Sequence, residues 1–382
     1  MSRTYDVFVA GGSIAGLTFA SEAAKLGLNV LVAEEHPEVG EPEKCDGLVS
    51  LRGLRKYGYP PGAGVIQGRI DSAVLHSPSG KTFTVDAEGL EVVVLDRSAY
   101  DKQVSAAAEA AGASVMTGRR AGEATETGDS VTVNAGDEEV KAKFLVDATG
   151  PASSPKHGIL PAAKYEVEGD WIREHVVEVF LDAGKYPGFF AWVIPFGEHK
   201  AKVGAAGRGV SPFKALDGFL EGRSTTVLRR VAAPIYIGGP AQSFVRGRRI
   251  YVGESAGQVK PTTAGGILTS LAGAATAARW VSSSIHEGRP SLLAGYQKEW
   301  EGEFVKEMKA MLRLRGAFEK LSNQDLDGVF SVLAASKMTQ KLSQTDFDFH
   351  ATALLGALGM PGLLKIAGLV ASAEVRSLLL ER

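Results

Sequence analysis

Asp6-Val-Phe-Val-Ala-Gly-Gly-Ser-Ile-Ala-Gly16 decides the fold of this 382-residue chain. The largely apolar run from Tyr5 to Ala10, bounded by glycines, has the character of a strand buried on both faces. Gly11, Gly12 and Gly16 turn it into a helix whose apolar spacing runs from Leu17 to Leu26 and stops at Gly27. A second strand follows over Asn29 to Ala33, with Glu34 at its end. Strand, glycine turn, helix, strand and an acid roughly 20 residues past the first glycine is the order of a dinucleotide-binding unit. Glycines permit the tight turn, phosphate sits on the helix N-terminus, and the acid takes ribose hydroxyls. Ser13 stands where the second glycine of G-x-G-x-x-G usually lies; it is small, and its hydroxyl is a donor to phosphate.

Far along the chain the design recurs. Ile250-Tyr-Val-Gly-Glu-Ser-Ala-Gly257 is again a strand followed by small residues, with Pro261 and Ala264-Gly-Gly266 preceding a helical pattern over Leu268 to Val281. Asp147-Ala-Thr-Gly150 closes a third buried strand, Val140 to Val146, with the same kind of turn. Such turns at the carboxyl ends of parallel strands are where open α/β sheets bind ligands. Together these segments imply one elongated, phosphate-bearing flavin nucleotide held by a domain that a substrate-facing insertion interrupts.

The intervening pattern gives the expected organisation. Residues 1–150 form the first part of the cofactor domain, with a small sheet insertion at about 65–95 in which Ala73, Leu75, Phe83, Val85 and Val92 to Leu95 lie on strands. Residues 151–245 form a sheet domain, 246–285 complete the cofactor domain, and 286–382 are a helical C-terminal region. A helix begins at Asp96-Arg97 and ends at Gly112. In the insertion, Pro187-Gly-Phe-Phe-Ala-Trp-Val-Ile-Pro195 puts Phe190, Trp192 and Ile194 on one face. The flanking prolines favour an exposed or edge strand, because proline cannot donate within a central ladder.

Composition narrows the function classes. Lys and Arg total 42 against 44 acids, a net charge of -2 with no clustered basic block, so no nucleic-acid partner is expected. Cys45 is the only cysteine, which excludes an intrachain disulfide and fits a reducing compartment. No leader-like segment precedes the first strand, so the expected location is cytoplasmic. Phe304 to Leu321 and Gly328 to Leu342 read as charged, soluble helices. Ala351 to Ala373 has Lys365 as its only charge but is broken by Gly359-Met-Pro-Gly362, so packing or contact with a lipid interface suits it better than spanning a bilayer.

These residues carry a resemblance to the geranylgeranyl reductase family, flavoproteins of the aromatic-ring hydroxylase fold that saturate isoprenoid chains of archaeal membrane lipids and of the chlorophyll side chain. The family motif P-x-x-Y-x-W-x-F-P is matched at Pro187, Trp192 and Pro195, with Phe190 for tyrosine and Ile194 for phenylalanine. The family's cysteine loop is matched by Lys44-Cys-Asp-Gly47 followed by Ser50, and its C-terminal flavin motif by Gly253-Glu-Ser-Ala-Gly257, Pro261 and Gly265-Gly266.

The resemblance implies an α/β protein: a Rossmann-type FAD-binding domain with an inserted antiparallel-sheet substrate domain and a helical C-terminal region. It implies that Gly11, Ser13, Ala15 and Gly16 meet the FAD pyrophosphate, Glu34 the ribose and Ala121 the adenine. Arg97, Asp147 and the Cys45-Asp46-Gly47 loop also fall to the cofactor, Glu254 to its sugar-phosphate portion, and Gly265, Gly266 and Ile267 to the flavin pyrimidine edge. Phe189, Phe190, Trp192 and Ile194 would line an apolar polyprenyl pocket. Cys45 is the candidate for positioning substrate or handling the proton as reduced FAD delivers hydride from N5 to an isolated alkene. The implied partners are a polyprenyl lipid, an external electron donor such as NAD(P)H, a deazaflavin or ferredoxin, and peripherally a membrane; no metal is implied. A flavin monooxygenase or halogenase of the same fold is the alternative, because Phe190-x-Trp-x-Ile-Pro195 is one residue from W-x-W-x-I-P; an FAD-bound lipid-carrier module is the third reading.

Overall fold

The computed structural model describes residues 4–154 and 156–334 and, in the tail, residues 348, 352, 365 and 367–371. The first strand, Thr4–Ala10, lies inside a mostly parallel sheet, between Glu138–Asp147 on one side and Val30–Ala33 on the other. Val7, Phe8 and Val9 are wholly buried, as a strand covered on both faces requires. Ser114–Met116 extends the sheet beyond Val30–Ala33, and Arg249–Tyr251 extends it beyond Glu138–Asp147.

The register aligns the strand ends. Tyr251 pairs with Asp147, Asp147 with Ala10, Ala10 with Ala33, and Ala33 with Met116. Each chain therefore leaves the sheet along one carboxyl edge, and Gly11, Glu34, Ala148 and Val252 stand side by side there. Helix Ile14–Lys25 follows the first strand, and helix Ile267–Glu287 follows the last glycine turn. The second helix is longer than the pattern from Leu268 to Val281 predicts.

The second unit is a sheet of Thr226–Ala232, Ala162–Glu168, Lys200–Ala206, Ala191–Pro195, Val176–Phe180, Ser72–His76 and Thr82–Asp86, in that spatial order. Two expectations change here. Ala191–Pro195 is an interior strand, paired on both sides, rather than an edge strand. Pro195 is tolerated because pairing with Val176–Phe180 stops at Val193, so the missing donor falls where no partner requires it. The strands of the 65–95 region also divide: Ile66–Ile70 and Val92–Leu95 join Leu48–Ser50 in a separate small sheet, whereas the 72–86 hairpin extends the large sheet of the insertion.

Other differences are local. Ala121–Thr127 is a strand that residue types alone did not suggest, because its exposed Glu123 and Glu126 give no apolar period. Residues 231–238 divide between the end of Thr226–Ala232 and the short Ile235–Tyr236, which pairs with Ile159–Leu160. Helix Ala294–Phe318 begins earlier than the expected Phe304, and Asn323–Ala334 follows it. The expected helix at 328–342 runs past residue 334, and most of 351–373 likewise lies outside the described residues. Among the described residues no helix is long and apolar enough to cross a membrane.

Ala294–Phe318 is joined to helix Ile267–Glu287 by Trp300, which is 1% exposed, packs against Phe244 and Phe304, and donates from Nε1 to the Thr269 carbonyl at 3.2 Å. Trp300→Ala is expected to destabilise the folded chain by about 3–5 kcal/mol, read by denaturant unfolding; a loss below about 1 kcal/mol would show that the helix docks by other means.

Candidate functional site

The first turn is built on close backbone approach. Gly11 has φ of +104°, open to glycine, and an added Cβ there would lie 2.5 Å from the Ala148 carbonyl oxygen. A Cβ at Gly16 would overlap the Gly11 carbonyl. Ser13 occupies the N-cap of the helix without capping it through its side chain, which is exposed. The helix N-terminus thus presents a donor-rich, positive end with no acid in its first turn.

Glu34 is buried at the end of its strand, as expected. Its Oε2 accepts from the Gly12 N–H at 2.7 Å, and its Oε1 faces the His36 backbone N–H at 3.0 Å and His36 Nδ1 at 2.6 Å. His36 was not singled out from the sequence. Its carbonyl receives the Gly118 N–H at 2.8 Å, and the Glu34 carbonyl receives that of Arg119, which brings the 118–121 segment with Ala121 beside the acid.

The two glycine-rich ends meet. A Cβ added at Gly253 would lie 2.6 Å from Ala15 Cβ and 3.4 Å from Ser270 Oγ, so this position joins helix Ile14–Lys25 to helix Ile267–Glu287. Gly266 is the N-cap of Ile267–Glu287 and lends it no side-chain cap. The Thr262 hydroxyl, in the preceding turn, is buried without a hydrogen-bond partner among the described residues. Lys260, in the same turn, is ion-paired with Asp348 at 2.8 Å; Asp348 also accepts from the Ser50 N–H at 3.2 Å.

Asp147 and Glu254 stand between these ends. Asp147 accepts from the Thr149 hydroxyl at 2.7 Å, the Ser153 hydroxyl at 2.9 Å and the Ser255 hydroxyl at 3.2 Å, so it organises the turn that follows it. Glu254 accepts from the Tyr236 N–H at 3.0 Å. Burial, partly offset by that single bond, pushes its pKa up to about 7.

The cysteine loop lies beside the start of helix Arg97–Ala110. Arg97 is buried, donates to Asp101 at 2.9 Å, and lies beside the Cys45 side chain. Burial opposes its charge, but Asp101 and Cys45 more than offset burial and keep the guanidinium protonated. Gly47 bonds from its carbonyl to the Leu95 N–H at 3.0 Å. Trp192 Nε1 donates to Asp46 Oδ2 at 2.9 Å, tying the loop to the aromatic strand of the insertion.

Of the four aromatic and aliphatic candidates, Phe189 and Ile194 are core side chains at 2% and 6% exposure, while Phe190 and Trp192 are half-buried. Phe189 and Phe190 stack at 4.0 Å between centroids, and Trp192 meets Phe190 edge-on at 5.9 Å. Phe190 and Trp192 pack in one cluster with Ala264 from the second glycine turn. The indole lies where a Cβ on Gly204 would stand, so Gly204 is required by its neighbour; reading the sequence did not identify it. The surface hollows at Ser243 to Glu301, about 480 Å³, and Asp217 to Val227, about 410 Å³, are lined by none of these residues. Among the described residues no cluster of His, Cys, Asp and Glu is arranged to hold a metal.

The arrangement has counterparts among known proteins. No family model matches the chain. Digeranylgeranylglycerophospholipid reductase 2 of Methanopyrus kandleri is 32% identical over 360 residues, covering 86% of this chain and 90% of that protein. A geranylgeranyl bacteriochlorophyll reductase-like protein of Thermoplasma acidophilum superposes with a TM-score of 0.86 at 23% identity, over 96% of this chain and 98% of that one. A variant of the halogenase PltM in complex with FAD superposes with a TM-score of 0.67 at 17% identity, over 100% of this chain and 92% of that one. The fold is therefore shared with flavin enzymes of different chemistry.

Two outcomes are expected. Gly204→Ala would push the Trp192 ring off its seat and break the bond to Asp46, lowering stability by about 1–3 kcal/mol and changing indole fluorescence; an unchanged emission spectrum would show that the ring does not move. Because folding raises the pKa of Glu254, the folded state binds the proton more tightly, and the stability it contributes falls as pH rises between about 4.5 and about 7. Glu254→Gln should flatten that segment of the melting-temperature profile, and parallel profiles would refute the assignment.

Proposed function

The chain belongs to the geranylgeranyl reductase family, represented by the digeranylgeranylglycerophospholipid reductases, and from that premise we propose an FAD-dependent reductase that saturates carbon–carbon double bonds of geranylgeranyl chains on archaeal-type ether lipids. The observation that carries the reading is the meeting of Ala15, Gly253 and Ser270, with the cysteine loop bonded to the aromatic strand through Trp192 and Asp46.

The residues present fit FAD. Gly11 and Gly16 permit the close backbone approach that tightens the first turn, Ser13 keeps its hydroxyl off its own helix, and the uncapped Gly266 and the buried Thr262 hydroxyl sit at the other end. In this reading Gly11, Ser13, Ala15 and Gly16 hold the pyrophosphate, Glu34 the ribose and Ala121 the adenine. Arg97, Asp147, Glu254 and the Cys45-Asp46-Gly47 loop complete the cradle. Gly265, Gly266 and Ile267 donate to the pyrimidine edge, where the positive end of the helix favours negative charge.

Bound and reduced, FAD supplies the hydride equivalent for one alkene carbon. The chain's own residues then have two tasks, because an isolated alkene has no carbonyl to polarise. Phe190 and Trp192 keep the prenyl chain in apolar surroundings and water out. Cys45 gives its proton to the other alkene carbon; the thiolate left behind is stabilised by the adjacent Arg97 guanidinium until solvent restores the proton. One hydride and one proton thus add across the double bond. An external donor must reduce the cofactor, and a lipid substrate calls for transient contact with a membrane surface by an otherwise cytoplasmic protein.

Purified protein should bind FAD and turn yellow. Reduced anaerobically, it should raise the mass of an added geranylgeranyl ether lipid by two hydrogens per bond, without consuming oxygen. Cys45→Ser should lower that turnover by about 10²-fold with little change in FAD binding. Saturation at the same rate in Cys45→Ser would remove Cys45 from proton transfer, and oxygen-dependent hydroxylation or halogenation would replace the reductase reading.

A further inference from the structure

Two lysines of the insertion sheet are more deeply buried than their charge would ordinarily allow. Lys164 is 1% exposed on Ala162–Glu168, and Lys202 is 0% exposed on Lys200–Ala206. Lys164 stands opposite Gly204, and Lys202 opposite Glu166. Gly204 and Lys202 in turn stand opposite Trp192 and Ile194, so both lysines project from the sheet face that carries the indole. Alanine or valine would suit a sheet interior at far lower desolvation penalty, so a buried ammonium here is tied to what it touches.

Both ammonium groups reach the cysteine loop. Lys164 Nζ donates to the Cys45 carbonyl at 2.8 Å and lies 3.9 Å from Asp46 Oδ1, which is buried without a hydrogen-bond partner among the described residues. Lys202 Nζ donates to Glu43 Oε1 at 2.6 Å, to the Asp46 carbonyl at 3.2 Å and to the Leu95 carbonyl at 3.3 Å. Glu43 is buried, which by itself would raise its pKa, yet Lys202 and Lys164 hold it below the usual carboxylate value. Arg229 closes the cluster, 3.4 Å from Glu43 Oε2 and 2.5 Å from Glu166 Oε1.

We propose that Lys164 and Lys202 are positioning residues that hold the carbonyls of Cys45 and Asp46 and thereby fix the direction of the Cys45 thiol. This rests on the reductase reading for its effect on turnover, but not for its effect on the thiol. The glycine turns that would hold the FAD pyrophosphate are separate elements, so turnover measured at saturating FAD separates the direction of the thiol from the loop's own share of cofactor binding. A misplaced proton donor slows turnover strongly, since a displacement of about 1 Å can cost on the order of 10²-fold.

The test uses the full chain, in which Cys45 is the only alkylation target. In Lys164→Ala the iodoacetamide labelling rate should change by about fivefold or more, and turnover at saturating FAD should fall by about tenfold or more. Propylammonium should restore part of both rates, whereas 1-propanol, of similar size and uncharged, should not. Lys202→Met combined with Glu43→Gln removes the closest charge pair together, leaving Lys164 with Asp46 and Arg229 with Glu166, and should shift the labelling rate in the same way; it decides the matter if Lys164→Ala fails to fold. Labelling rates within about twofold of the parent in the folded variants, or equal rescue by 1-propanol, would overturn the proposal. A parent enzyme that binds FAD but saturates no prenyl lipid would sink the reductase reading alone, since the labelling rates are measured without substrate.

Discussion

The approach of Ala15 to Gly253 is the constraint on which the rest of the structure depends. These residues lie on turns separated by most of the chain, and only the absence of a side chain at residue 253 lets them touch. That contact packs helix Ile14–Lys25 against helix Ile267–Glu287 and brings their N-termini to the same carboxyl edge of the sheet. Two positive helix ends would repel each other in isolation; here each is held by buried apolar packing, including the wholly buried Leu17, Phe19 and Leu271. The result is a site whose two ends are rigid before any ligand arrives.

The cysteine loop is held differently. Polar bonds reach it from three directions: Trp192 from the aromatic strand, and Lys164 and Lys202 from the strands alongside. Such a network is costly to desolvate, but once formed it is directional in a way that apolar packing is not. Helix Leu51–Lys56, which follows the loop, presses Gly53 against Leu268 in the first turn of helix Ile267–Glu287, so the loop is also registered to the second glycine turn. The loop is thus bonded to the antiparallel sheet and packed against the parallel-sheet unit at once.

Residues whose chemistry acts over a few neighbours were legible. The apolar run before Gly11, the acid at position 34 and the helix start at Asp96-Arg97 needed only local spacing, and the Asp96 side chain does accept the Ala99 N–H at 2.8 Å. Residues whose role depends on a distant partner were not. Prolines at 187 and 195 suggested an edge strand, yet Ala191–Pro195 is paired on both sides because one neighbour ends before Pro195. Lys164 and Lys202 look like ordinary surface residues by type, and Gly204 like an ordinary glycine. Only strand pairing, which sets Lys164 opposite Gly204, Gly204 opposite Trp192 and Lys202 opposite Ile194, brings them to the loop and the indole.

The sequence by itself determined the sheet-and-helix units and where their glycine turns fall, because backbone freedom, apolar period and helix termination are properties of adjacent residues. Tertiary structure alone decided which strands became interior, which charges were buried and which two turns share one edge. Those outcomes depend on register and on pairings between segments that are not adjacent in the chain, and no local pattern carries that information.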